Sequence, residues 1–298
     1  MIVLYWVWRA FERLIQHTPQ RFSMGIMESM GEWIYRISPQ RQRIARENFS
    51  HVLNKPANDP SVHRVAAQAF RIFARELWCL MATADWSMRQ VERQITLHGE
   101  ENLTNALALG KGLIVTMAHF GNFDLPTAVV ATRFKPVTSI GEDVRPPALM
   151  NYLKQMRAAR NVFLYSYEQA PRKMLEALKR NEIVGLMLDF GVTHQFDMPT
   201  VEVGFFGAPT KFSVGPAQLA LLTGAPIIVA YTYLYPNGTI DGYIGEALAV
   251  QRSGNRQQDF QTIMQELAHR FEDFIRLHPV QWHMFRPMWS DHFAPASE

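Results

Sequence analysis

The chain has one cysteine, Cys79, in 298 residues, which excludes an intramolecular disulfide, a four-cysteine zinc site and a CxxC redox pair. It has no long apolar run either. The opening segment Met1 to Trp8 (MIVLYWVW) stops at Arg9, well short of the ~20 residues that span a bilayer. A secretory signal is not expected, because the charge follows this stretch instead of preceding it and no small-residue cleavage site is evident. Several catalytic motifs are missing. Lys211-Phe212-Ser213-Val214-Gly215 lacks the first glycine of a GxSxG elbow, and Gly110-Lys111-Gly112 lacks P-loop spacing. No GxGxxG follows a strand candidate and no HExxH occurs among the histidines, so serine-hydrolase, nucleotide and zincin chemistries have no motif support and no metal is expected. Repeats, low-complexity segments and long linkers are also absent.

What is present is a folded-protein composition, 48% hydrophobic and 19% charged, that can bury a real core. The net charge of +3 is unevenly placed: residues 1–95 carry +5 and the rest −2. Trp6, Trp8, Phe11, Phe22, Trp33, Tyr35, Trp78 and Trp86 are interleaved with those basic residues, a pattern that suits an anionic membrane surface. No Lys/Arg cluster or recognition motif points to nucleic acid. Tyr5, Trp8, Phe11, Leu14 and Ile15 at helical spacing form an amphipathic helix that either lies in the membrane interface or packs on its own domain.

Residues 1–95 read as an all-helical, membrane-associating part, and residues 96–298 as an α/β catalytic domain, the alternative being one continuous domain. In the second part, apolar runs at 113–118, 137–140, 162–165, 183–188 and 226–233 alternate with helical patterns at 125–132, 147–159, 171–180, 215–223 and 257–277. Strand and helix in alternation predict a mainly parallel mixed sheet flanked by helices, and ligands of such sheets bind at the carboxyl ends of the strands.

Those ends carry charge. The first run leads into His119-Phe120-Gly121-Asn122-Phe123-Asp124. On one continuous helix His119 and Asp124 would lie on different faces, but Gly121-Asn122 supplies a turn across which Asp124 can orient the imidazole as a general base. The alternative is a helix-capping aspartate beside a structural histidine. The second run ends in a turn with Glu142 and Arg145, entering a helix with Arg157 and Arg160, and the fourth ends at Asp189.

The His-x4-Asp block resembles that of bacterial lipid A biosynthesis (late) acyltransferases and the related phosphatidylinositol mannoside acyltransferases, with Phe123 at a position that is typically Trp. Further blocks resemble the same family in the same order: Arg43 to Phe49, His98 to Leu103, Val203 to Pro209, Gly215 to Ala217, Thr223 to Pro226 and His278 to Phe285. The Phe-Phe-Gly-x-Pro and Trp-His-Met segments look closer to the mannoside branch. The resemblance implies a glycerolipid-acyltransferase-like fold with His119, Asp124, Arg157 and Asp189 catalytic, Asp189 standing in Leu-Asp-Phe-Gly where the family more often has Asp-Arg-Asp or Asp-His-Asp. It also implies that Glu142 and Arg145 bind a headgroup or donor, with Arg160 as a second candidate for the family's helix arginine and Asn122 within the motif.

The expected reaction moves a fatty acyl chain from acyl-CoA or acyl-ACP, without a cofactor, to a glycolipid hydroxyl. Phe120, Phe123, Phe205 and Phe206 are candidate walls of an acyl groove. The expected location is the cytoplasmic face of the bacterial inner membrane, peripheral or monotopic. An acyl thioesterase using the same residues and a non-catalytic lipid-binding protein are the alternatives.

Overall fold

The computed structural model describes residues 2–141, 145–190 and 198–289. It begins with α1 (Ile2–His17), α2 (Gln20–Ile37), α3 (Pro39–Leu53), α4 (Pro60–Ala82) and the short α5 (Met88–Glu92). Prolines at the first helical position start α3 and α4, where a missing N–H costs nothing. Asp59 caps α4 by accepting from the Ser61 N–H at 2.7 Å. Ser23, Met27, Gly31 and Tyr35 form the buried stripe of α2, and a Cβ on Gly31 would strike the Phe70 carbonyl, so this glycine permits the close crossing of α2 over α4. No helix among the described residues is long and apolar enough to cross a membrane.

The α/β part follows as β1 (Ile95–His98), α6 (Glu100–Ala108), β2 (Leu113–Met117), α7 (Asp124–Arg133), β3 (Val137–Ile140), α8 (Pro147–Ala158), β4 (Val162–Tyr165), α9 (Ala170–Lys179) and β5 (Ile183–Met187). A hairpin, β6 (Thr200–Phe205) and β7 (Ala208–Ser213), leads to α10 (Gly215–Thr223), β8 (Ile227–Leu234), β9 (Ile240–Leu248) and α11 (Arg256–Leu277). The main sheet has the order β1-β9-β8-β2-β5-β3-β4. Every pairing in it is parallel except β8 with β9, so the architecture is α/β with a mainly parallel mixed sheet flanked by helices.

Four strands were not among the expected runs. β6 alternates exposed and buried residues along Thr200 to Phe205 and turns through Phe206 and Gly207, both at positive φ, the geometry of a two-residue hairpin. β9 is interrupted by Gly242 and Gly245, which hides its period, while β1 is only four residues long. One apolar cluster joins Tyr35, Phe49 and Phe70 of the helical part to Phe120, Phe205 and Trp282 of the α/β part. A second joins Ile15, Met27 and Trp78 to Leu125 and Leu234.

Candidate active site

β2 lies in the middle of the sheet between β5 and β8, and the chain leaves it through Ala118 and His119. Gly121 takes φ +57°, and a Cβ there would collide with the Thr232 carbonyl. Only glycine lets the loop turn this close to β8. Thr232 Oγ1 donates to the Phe120 carbonyl at 2.8 Å, and Asn122 Oδ1 accepts from the Leu125 N–H at 3.1 Å, holding the entry into α7. The loop thus presents an imidazole whose side chain is one-third exposed.

Among the described residues, the carboxylate facing that imidazole is Asp189, which corrects the expectation that Asp124 orients it. His119 Nδ1 lies 2.9 Å from Asp189 Oδ1. The adjacent parallel strand β5 ends two residues before Asp189, and the Leu188 N–H bonds to the Met117 carbonyl, so sheet pairing delivers the two side chains to one edge. Asp189 is fully buried. It also accepts the His119 backbone N–H at 2.9 and 3.1 Å and the Trp282 indole N–H at 2.9 Å. A carboxylate surrounded by donors accepts from Nδ1–H, and that tautomer leaves Nε2 as the basic nitrogen.

Asp124 instead turns toward α8, where Arg157 Nε and Nη2 reach its two oxygens at 2.6 and 2.8 Å. Being the first residue of α7, it projects from the helix start toward the neighbouring helix and not back along the loop. Burial works against the Arg157 charge, but the Asp124 carboxylate and the nearby Glu76 outweigh it and raise the guanidinium pKa. Arg157 therefore carries a fixed positive charge on the wall of the cavity that the histidine also lines. His119, Asp124 and Arg157 line one cavity of about 290 Å³ whose other walls include Met117, Phe123 and Met150. The Phe123 and Phe190 rings stand edge-on to the imidazole, each 6.0 Å away. Met117, Thr127, Val137 and Gly185 also border a narrow apolar slot of about 60 Å³ that reaches Leu103 and Tyr243.

Other expected site residues lie elsewhere. Phe120 and Phe205 are completely buried and Phe206 nearly so; their rings pack on Phe274, Phe212 and Trp282, which makes them core and not groove. Arg160 is buried, and its Nη2 donates to the Thr83 carbonyl at 2.6 Å, so it ties down the end of α4 and is withdrawn from the binding set. Asn122 is buried at the α7 entry, where its side chain holds the turn through the Leu125 N–H. Arg145 is exposed just before α8, while Glu142 lies outside the described residues. Sequence reading gave no role to Trp282 or Gly185. Trp282 stands 93 residues from Asp189, and no local spacing connects them.

A family model described as bacterial lipid A biosynthesis acyltransferase matches residues 1–291. The chain is 31% identical over 252 residues to a phosphatidylinositol mannoside acyltransferase of Mycobacterium tuberculosis (strain H37Rv), covering 82% of this chain and 76% of that protein. It is 26% identical over 283 residues to the protein of the same name from Mycolicibacterium smegmatis, covering 93% and 88%.

Proposed function

Because this chain belongs to the bacterial lipid A biosynthesis acyltransferase family and is an acyltransferase, we propose that it transfers a fatty acyl group from an acyl thioester to a glycolipid hydroxyl with His119 as the general base. The observation that carries this reading is the 2.9 Å contact of His119 Nδ1 with buried Asp189 at an apolar cavity. With Nδ1–H held by the carboxylate, Nε2 takes the proton of the acceptor hydroxyl as its oxygen attacks the thioester carbonyl carbon. The tetrahedral intermediate then collapses, the C–S bond breaks, and the imidazolium returns its proton to the departing thiolate. No acyl-enzyme is needed. A well-placed base contributes about 10²- to 10⁴-fold, with positioning and charge stabilisation adding the rest.

Arg157, locked by Asp124, places a positive charge beside the reacting carbonyl or a donor phosphate. The slot past Met117 and Gly185 is the route for the acyl chain. Acyl-CoA or acyl-ACP is the donor, no cofactor takes part, and the acceptor is a phosphatidylinositol mannoside-like glycolipid, as the names of the relatives suggest.

Membrane contact at the cytoplasmic face of the inner membrane is part of the same reading, with the protein peripheral or monotopic. Val3, Leu4, Trp6, Val7 and Leu14 of α1 and Phe22, Ile26, Met30, Trp33 and Ile37 of α2 are exposed. On α2 they recur every three or four residues as a stripe on a different face from the one buried against α4. Arg21 and Arg36 stand beside that stripe, placing positive charge at the headgroup level. α1 is also tied to the site: the Tyr152 hydroxyl on α8 donates to the buried Glu12 of α1 at 2.9 Å, and α8 carries Arg157. A lipid surface touching α1 and α2 would thus adjoin the cavity.

The test follows thiol release from palmitoyl-CoA by purified protein with and without phosphatidylinositol mannoside. Transfer predicts acceptor-dependent release with an acylated product. Equal release without acceptor identifies a thioesterase, and full activity of His119→Ala would refute the base assignment.

A further inference from the structure

Trp282 contributes one of the hydrogen bonds that surround Asp189, and the geometry makes its contribution specific. The His119 backbone N–H straddles the carboxylate, 3.1 Å from Oδ1 and 2.9 Å from Oδ2. That bond fixes where the carboxylate sits but discriminates weakly between its oxygens. The indole N–H reaches only Oδ2, at 2.9 Å, and His119 Nδ1 faces Oδ1. A donor on one oxygen alone sets the plane of the carboxylate and directs the other oxygen at the imidazole.

The indole is itself immobile. Trp282 is completely buried, with the rings of Phe49, Phe205 and Phe206 within about 6 Å. Its chain segment is sewn onto the catalytic loop from both sides: the Gly121 N–H donates to the Gln281 carbonyl at 2.9 Å and the His283 N–H to the His119 carbonyl at 2.7 Å. The same segment is anchored on α4, with His283 Nδ1 2.7 Å from Glu76 Oε2.

We propose that Trp282 is a positioning residue of the transferase, orienting Asp189 toward His119 through its indole N–H. It acts through Asp189 and touches no substrate, so this inference rests on the His119 and Asp189 roles given above. The same N–H withdraws negative charge from Asp189. Without it the carboxylate stabilises the imidazolium more strongly, and the base gains its proton at higher pH. The other charged groups described at the cavity, Asp124 on α7 and Arg157 on α8, are paired with each other and are not altered by the change.

The experiment replaces Trp282 in the full-length chain by β-(3-benzothienyl)alanine, which keeps the bicyclic shape and substitutes sulfur for N–H. Trp282→Phe is the second variant. The kcat for palmitoyl transfer to phosphatidylinositol mannoside falls about 10- to 100-fold, the scale of one hydrogen bond to a charged group, with KM nearly unchanged. The acid limb of the kcat/KM profile moves to higher pH, and the imidazole of labelled His119, titrated by NMR without substrate, moves the same way. A merely structural tryptophan predicts an isostere with wild-type kcat and an unmoved imidazole titration, and that result overturns the proposal. The two readings separate cleanly. An active His119→Ala removes the base assignment, whereas an inactive His119→Ala beside a wild-type isostere leaves the base in place and removes Trp282 alone.

Discussion

Replacing Asp189 by Asn tests the pairing that organises the site. The carboxylate receives three N–H groups: the His119 backbone, His119 Nδ1 and the Trp282 indole. An amide has one oxygen and one NH₂, so it can serve Nδ1–H only by pointing its NH₂ at the indole N–H. In the flipped orientation the NH₂ donates to Nδ1, which moves the ring proton to Nε2 and removes the base. Loss of a charge-assisted bond costs about 1.5–3 kcal/mol and an opposed buried donor about 1–3 kcal/mol. Together these correspond to a fall in kcat of about 10²- to 10⁴-fold. Thiol release from palmitoyl-CoA in the presence of glycolipid acceptor measures it, with thermal unfolding run in parallel to confirm the fold.

Asp124→Asn is the contrasting variant. It leaves the partly buried Arg157 without its bidentate partner, so stability falls by about 1–3 kcal/mol, and the accompanying loss of activity follows from that destabilisation and from a less well placed Arg157 charge. If Asp189→Asn kept more than a tenth of wild-type kcat while Asp124→Asn erased activity in a fully stable protein, the assignment of the histidine's partner would be wrong.

Three other perturbations have defined outcomes. Trp6→Ser with Trp33→Ser removes two exposed indoles from the α1 and α2 face. Binding to anionic phospholipid vesicles, read by co-sedimentation, should weaken about 10- to 100-fold, and unchanged binding would exclude that face as the membrane contact. Gly185 borders both the cavity and the slot, and a Cβ there meets Val137 Cγ1 at an ordinary 3.4 Å. Gly185→Ala should therefore fold and lose turnover with long-chain donors while keeping short-chain donors; equal loss across chain lengths would argue that the acyl group does not enter the slot. Burial, assisted by the Glu76 carboxylate, pushes the Cys79 thiol up to about 12. The unfolded thiol deprotonates near ~8.5, so above that pH the folded state binds more protons and stability falls with rising pH until the folded thiol also ionises. Urea midpoints should decline over this range, more shallowly in Cys79→Ala, and identical slopes would refute the account.

The chain sequence determined the elements with a local periodic signal. β3 and β4 fall at the expected residues, and β2, β5 and β8 within one residue at each end, because β-branched and apolar runs bounded by turn residues leave little choice of register. Alternation of strands with helices fixed the sheet type, and the position of His119 and Asp189 after strands placed both on the carboxyl edge. The family, too, was legible in ordered blocks such as His119 to Asp124 and His278 to Phe285.

Only tertiary structure decided which groups touch. His-x4-Asp makes the nearby carboxylate look like the histidine's partner, but α7 carries Asp124 toward Arg157, whereas parallel pairing of β2 with β5 brings Asp189 from a distant stretch of chain. Phe120, Phe205 and Phe206 have the composition of a lipid groove and the burial of a core, a distinction set by what packs against them. Arg160 lies three residues beyond Arg157, yet its guanidinium holds the carbonyls ending α4. The indole on Asp189 arrives with the C-terminal segment that lies against the catalytic loop. Sequence patterns encode which face of an element is apolar; the neighbour that meets a given polar atom depends on strand order and helix crossings, which are properties of the packed chain.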